Sequence, residues 1–258
     1  MAEFTRYKVD PEDIPGRSRR RRSKSTAGKK RKFLWLKLLA LAVLLLAIVV
    51  LGMAAGAIFA LSRNLPSLES MQRNPTAINT RIYDQHGVLI AELHGAENRT
   101  LVSGQQIPEV MKQATVAVED QRFYEHHGVD FQSLFRAIVT DIRAGTTVQG
   151  GSTITEQYVK NAYVGNERTY TRKIREAVLA WQLEDRWSKD KILTEYLNTI
   201  FYGDNAYGVE AAAETYFHKH VGQITLAQAA LLAALPKAPT QFNPVVDPQQ
   251  AKARRDIV

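Results

Sequence analysis

An uncharged apolar run from Leu38 to Leu61 constrains this chain more than any other feature. As a helix rising 1.5 Å per residue it is long enough to cross the hydrocarbon of a bilayer, with its backbone groups paired internally. Trp35 and Lys37 suit the interfacial end of such a helix. Residues 1–37 carry thirteen Lys and Arg against four Asp and Glu, so the net charge of +8 belongs to this tail and the remainder is close to neutral. The tail, with Arg19 to Arg22 and Lys29 to Lys32, holds too few apolar residues to fold and is expected to be disordered. A basic arm would also suit nucleic acid, but the adjoining apolar run decides for a membrane, and no nucleic-acid partner is expected. Positive charge on one flank places the N-terminus in the cytoplasm and the rest outside. Ala55-Gly56-Ala57 resembles a signal-peptide cleavage site, yet the apolar core would then be unusually long, so an uncleaved single-pass anchor is preferred. The chain has no cysteine, so packing alone must hold the outer part together.

Four parts follow from this reading: a cytoplasmic tail at 1–37, a transmembrane helix at 38–61, a juxtamembrane linker at 62–78 with Pro66 and Pro75, and a folded domain at 79–258. A hairpin is expected from strands 80–83 and 88–91 around Asp84-Gln85-His86-Gly87. Helical periods then dominate and predict helices at 108–119, 131–143, 152–162, 170–185, 189–199, 205–217 and 224–234. The fold class is mainly α with a small β-hairpin, preceded by one transmembrane helix.

Three clusters carry candidate chemistry. The apolar period ending at Val118 runs into Glu119 and Asp120, with Phe123 as an anchor for the exit turn and Gly128 as the next turn. A carboxylate where a helix leaves the core is a candidate general base, although capping or solvation explains most such residues. Gly150-Gly-Ser152-Thr153-Ile-Thr155-Glu156-Gln157 joins a flexible entry to hydroxyls that can cap a helix or hold an anion, with Ser152 as the plain cap. It lacks the Gly-Lys-Ser/Thr of a nucleotide loop. Arg168, Arg172, Lys173, Arg175 and Glu176 form a basic stretch entering a helix whose inner face would be Ile174, Val178, Trp181 and Leu183. One base, several cations and a membrane anchor together point to transfer from a lipid-linked phosphate donor.

In order, Glu119-Asp-x-x-Phe123-x-x-His126-x-Gly128, Gly150-Gly-Ser-Thr-Ile-Thr-x-Gln157, Arg172-Lys-x-x-Glu176, Ile192-Leu-x-x-Tyr196-Leu-Asn198 and Ala211-Ala-x-x-x-Tyr216-Phe217 resemble the peptidoglycan glycosyltransferase domain of class A penicillin-binding proteins and monofunctional polymerases. The resemblance implies a lysozyme-like domain on the outer side of a bacterial cytoplasmic membrane. Such a domain polymerises lipid II into β-1,4 glycan with inversion and releases undecaprenyl diphosphate. It makes Glu119 the general base and groups Glu176 with it in the catalytic set, as an orienting carboxylate or a metal ligand. Lys160, Arg168, Arg172 and Lys173 would hold the diphosphate, and Ser152, Thr153 and Gln157 would contact sugar or phosphate. Asp120, Phe123, His126, Gly128 and Asn198 would support the site, His126 through a hydrogen bond to backbone. Residues 129–149 resemble a mobile segment beside the groove.

No cofactor is required by the sequence, and a divalent cation, Mg or Mn, at the diphosphate is left open. The resemblance implies lipid II, the growing glycan, the membrane and cell-wall synthesis or division proteins as partners. Glu156, His218 and Gln228 depart from the family pattern. Ser188-Lys-Asp-Lys191 fits Ser-x-x-Lys only formally, and the run ending at Val258 reads as a terminal helix still in progress, so a fragment of a longer bifunctional protein is expected. The competing readings are a lysozyme-like lytic enzyme, which has no diphosphate to bind, and a non-catalytic anchored scaffold.

Overall fold

The computed structural model describes residues 35–49, 52–53, 56, 79–93, 95, 97–145, 150–164 and 170–258. Most of the expected tail, the linker 62–78, residues 146–149 and Arg168 lie outside them. The chain divides into two compact units, Met1–Gly56 and Ala57–Val258. In the first, helix α1 covers 35–49 with exposed, mostly apolar side chains. Among the described residues no helix is long and apolar enough to cross a membrane.

The second unit is mostly helical with two small sheets. Strands β1 (Thr80–Tyr83) and β2 (Leu89–Leu93) form the expected antiparallel hairpin. Asp84 Oδ1 closes its turn by accepting from His86 N and Val88 N, and Gly87 takes the left-handed φ of +80° that the turn needs. Strand β3 (Asn98–Arg99) pairs in parallel with β5 (Ala206–Tyr207), which pairs antiparallel with β4 (Phe201–Gly203). The helices are α2 (Glu109–Glu119), α3 (Phe131–Ala144), α4 (Ile154–Val159), α5 (Tyr170–Glu184), α6 (Lys189–Thr199), α7 (Val209–Phe217), α8 (Leu226–Ala234) and α9 (Pro248–Arg255).

Three expected helices are revised. The helix expected at 152–162 is α4 followed by a π-helical turn, Lys160–Val164, and its cap is Thr153 rather than Ser152. Thr153 accepts from Glu156 N while Glu156 accepts from Thr153 N, a reciprocal pair that satisfies two otherwise unbonded donors. The helix expected at 205–217 begins only at Val209, because Gly203, Asp204, Asn205 and Gly208 all take positive φ and turn the chain into the β4–β5 hairpin. On α5 the buried stripe is Glu176, Leu179, Ala180 and Leu183, so Ile174, Val178 and Trp181 fall on a neighbouring face.

The core forms around α4, whose Ile154, Thr155, Glu156, Tyr158 and Val159 are buried while it packs on α5 and α6. Helix α2 packs on α8, and α8 on α9. Phe123 is fully buried in this core, a burial that stabilises by roughly 2 to 3 kcal/mol. The departures read from the sequence have local reasons here. Gln228 is the reciprocal capping partner of Thr225 on α8, and His218 ends α7 in a left-handed conformation, φ 52°. Ser188 caps α6, which gives Ser188-Lys-Asp-Lys191 a structural role.

Candidate functional site

Helix α2 puts Met111, Ala114 and Thr115 inward and ends with Glu119 half-buried, because Asp120 turns extended and Phe123 pulls the exit turn into the core. Gln157, on the last turn of α4, donates from Nε2 to Glu119 Oε2 at 2.9 Å. The fully buried Tyr196 of α6 donates its hydroxyl to Gln157 Oε1 at 3.2 Å. Burial pushes the Glu119 carboxyl above its ordinary value. The Gln157 hydrogen bond and the positive charges of Arg254 and Lys237 oppose that shift, and Asp120 adds to it.

Asp120 is buried and ties three segments together. Its carboxylate accepts from Ile154 N at the start of α4 at 3.0 Å and faces His126 Nε2 at 2.9 Å. The expected hydrogen bond of His126 to backbone is therefore corrected. An acceptor carboxylate stands within reach, so Nε2 carries the hydrogen, and among the described residues the buried Nδ1 has no hydrogen-bond partner. Gly128 is required by space as well as by its φ of +77°. A Cβ there would sit 2.7 Å from Trp181 N and 2.9 Å from the Ala180 carbonyl carbon.

Beside Glu119 lies a cavity of about 170 Å³ lined by Ser152, Glu156, Gln157, Lys160, Arg172, Lys173 and Glu176. Glu176 is fully buried, with Oε1 bonded to Arg172 Nη1 at 2.7 Å and Oε2 paired with Lys173 Nζ at 2.8 Å. Lys173 also donates to Ser152 Oγ at 2.7 Å. Burial pulls the Lys160 ammonium below its ordinary range, Lys173 and Arg172 push the same way, and Glu176 and Glu119 oppose. Three cations and a set of hydroxyl and amide groups around an open space suit an anion. Thr153, expected among the substrate contacts, is buried with its hydroxyl donating to Gly128 O and accepting from Glu156 N. The one carboxylate and imidazole group close enough to share a metal ion among the described residues is Glu210, Glu214 and His220, none of which lines this cavity.

A second space of about 1050 Å³ shares Ser152, Glu156 and Lys173 with the cavity and is otherwise largely apolar, walled by Val129, Phe131, Leu134, Ile174, Val178 and Trp181. The face of α3 beside it leaves Phe131 76%, Phe135 69% and Ile142 75% exposed.

The structure thus gathers Glu119, Gln157, Ser152, Lys160, Arg172, Lys173 and Glu176 at one place, with Asp120, Phe123, His126 and Gly128 supporting the loop beside it. Asn198 supports from behind, pairing its amide with Val102 N and O at 3.0 and 2.8 Å. The sequence reading gave Gln157 to the substrate and missed its bond to Glu119. Tyr196 enters the sequence only as part of a motif, since nothing local signals which way a buried hydroxyl points. Glu156, which departs from the family pattern, is 6% exposed and engaged in the α4 cap.

The family model described as Transglycosylase matches residues 86–258. Penicillin-binding protein 1A of Neisseria flavescens is 44% identical over 207 residues, 80% of this chain and 26% of that protein. Penicillin-binding protein 1F of Bacillus subtilis (strain 168) is 46% identical over 180 residues, 70% of this chain and 25% of that protein. This chain therefore spans about a quarter of the length of these relatives. A crystal structure of penicillin-binding protein 1A from Haemophilus influenzae aligns at 24% identity over 72% of this chain and 18% of that one, with a TM-score of 0.37. With the family model covering the segment that builds both the Glu119 turn and the cationic cavity, the chain belongs to the transglycosylase family.

Proposed function

We propose that this chain is a peptidoglycan glycosyltransferase with a lysozyme-like domain, which extends a glycan strand from lipid II, a disaccharide-peptide carried on undecaprenyl diphosphate. One observation carries the reading: Gln157 both bonds Glu119 and lines the cavity of Lys160, Arg172 and Lys173, so acid and cations are one side chain apart. Inverting transfer from a sugar diphosphate needs a base on the face opposite the departing diphosphate and cations beside that diphosphate.

The acceptor 4-hydroxyl oxygen attacks the donor's anomeric carbon, and its proton passes to the Glu119 carboxylate. The bond from that carbon to the diphosphate oxygen breaks, and its electron pair leaves on the diphosphate. Lys160, Arg172 and Lys173, with Arg168, bind the leaving negative charge, and Glu176 holds Arg172 and Lys173 toward it. Both Glu176 oxygens are engaged by these cations and Glu156 by Thr153 N, so the donor set favours an anion over a divalent metal, and no step passes through one. The exposed apolar face of α3 and the apolar run at 38–61 support a membrane-bound protein acting at the outer face of the cytoplasmic membrane.

The test is incubation of the purified full chain with labelled lipid II beside Glu119→Gln. Polymer from the native chain and none from the variant is expected. Equal polymer from both would remove Glu119 as the base, and release of soluble fragments from finished peptidoglycan would favour a lytic enzyme instead.

A further inference from the structure

The link between α6 and the acid rests on two hydrogen bonds in series. Tyr196 is buried completely, so its ring cannot swing without disturbing the core. Its hydroxyl meets Gln157 Oε1 at 3.2 Å, and Gln157 Nε2 meets Glu119 Oε2 at 2.9 Å. The direction of both bonds follows from chemistry. A carboxylate only accepts, so the amide must present its NH₂ to Glu119 and its oxygen to Tyr196, whose hydroxyl then donates. Without that hydroxyl the amide could turn over and set its oxygen against the Glu119 carboxylate. With it, Oε2 is held and Oε1 remains the oxygen that can receive a proton.

We infer that Tyr196 is a positioning residue for Glu119: its hydroxyl fixes the amide of Gln157 so that Glu119 presents Oε1 to the acceptor hydroxyl. The inference rests on Glu119 being the base of the proposed transfer. Tyr196 is fully buried and does not line the cation cavity. Its loss should therefore appear in the proton-transfer step rather than in donor binding. The amide donor also favours the ionised carboxylate against the burial that disfavours it, so disorder at Gln157 should raise the pH at which activity is lost on the acid side.

The experiment uses the full chain in detergent with labelled lipid II, and compares kcat, KM and the acid limb of the pH profile for native protein, Tyr196→Phe, Gln157→Met, the double variant and Glu119→Gln. Tyr196→Phe should lower kcat on the order of tenfold, the scale of a hydrogen bond to a charged group, with KM nearly unchanged and the acid limb displaced to higher pH. The double variant should be no worse in kcat than Gln157→Met alone, because the hydroxyl acts only through the amide. A Tyr196→Phe profile superimposable on the native one, or independent multiplicative losses in the double variant, would overturn the inference. Should Tyr196→Phe fail to unfold cooperatively, Gln157→Met must by itself displace the acid limb, and an unmoved limb overturns the inference equally. Polymer from Glu119→Gln at the native rate removes the underlying reading of the base. An inactive Glu119→Gln with a native-like Tyr196→Phe removes the Tyr196 role alone.

Discussion

The turn at Glu119 and the cavity at Lys160 are neighbours built on opposite logic. At Glu119 a single acid is held by one neutral amide, and burial raises its pKa. At the cavity three cations surround a buried carboxylate, and burial lowers the pKa of Lys160. In both places desolvation pushes the group toward its neutral form, which brings an acid and a base closer together in proton affinity than either would be in water. The difference lies in their partners. Glu119 keeps a raised pKa beside its one amide donor, whereas Glu176 is ion-paired with Arg172 and Lys173 and holds them in place. One region is arranged to react and the other to bind.

The strongest way to break this contrast is at its reactive end. Glu119→Gln should lower kcat by roughly 10² to 10⁴, the usual weight of a general base, while leaving donor binding intact in an equilibrium assay with labelled lipid II. The same variant should be no less stable than the native chain at neutral pH by thermal unfolding. A carboxyl with a raised pKa stabilises fully only below its unfolded value, and that contribution is lost as pH rises through the folded value, so removing the charge removes a cost. Loss of donor binding in Glu119→Gln would erase the division between the two regions.

Lys160→Ala tests the binding end and should raise KM by roughly 10 to 100-fold with a smaller change in kcat. The turn that joins the regions is tested by Gly128→Ala. Its left-handed φ and the 2.7 Å approach of a Cβ to Trp181 N predict a loss of roughly 3 kcal/mol or more, read from chemical denaturation. The pH profile sharpens the comparison further. Activity should fall on the acid side at a pH above the ordinary carboxylate value, as Glu119 takes up a proton, and donor affinity should fall on the alkaline side below the ordinary lysine value, as Lys160 loses one. Glu156→Gln should have the smallest effect. The amide keeps the acceptor for Thr153 N, and removing one negative charge from the cavity wall should tighten donor binding by roughly threefold at most.

Much of this was legible before the structure. The apolar period of α2 placed Glu119 at a helix end, the Arg172 to Glu176 spacing put charged groups on successive helical turns, and the Gly-rich entry to α4 announced a capped helix. The strands at 201–207 were hidden because Ala206 and Tyr207 fit a helical period as well as an extended one, and only the run of positive φ from Gly203 to Asn205 rules the helix out. Apolar content points to Ile174, Val178, Trp181 and Leu183 as the inner face of α5, and of these only Leu183 is buried. The helix instead buries Glu176 with Leu179, Ala180 and Leu183, a choice made by the cations that neutralise Glu176.

By itself the sequence determined where most helices run, where charge is concentrated and which ordered motifs carry the chemistry. These depend on periodicity and near neighbours, which a linear chain records. The tertiary structure alone decided that Gln157 would serve Glu119, that Tyr196 would direct Gln157, and that His126 would face Asp120. Those are pairings between side chains on separate elements. A buried polar group must take whichever partner the packing brings within reach, so its role is settled only when the core closes around it.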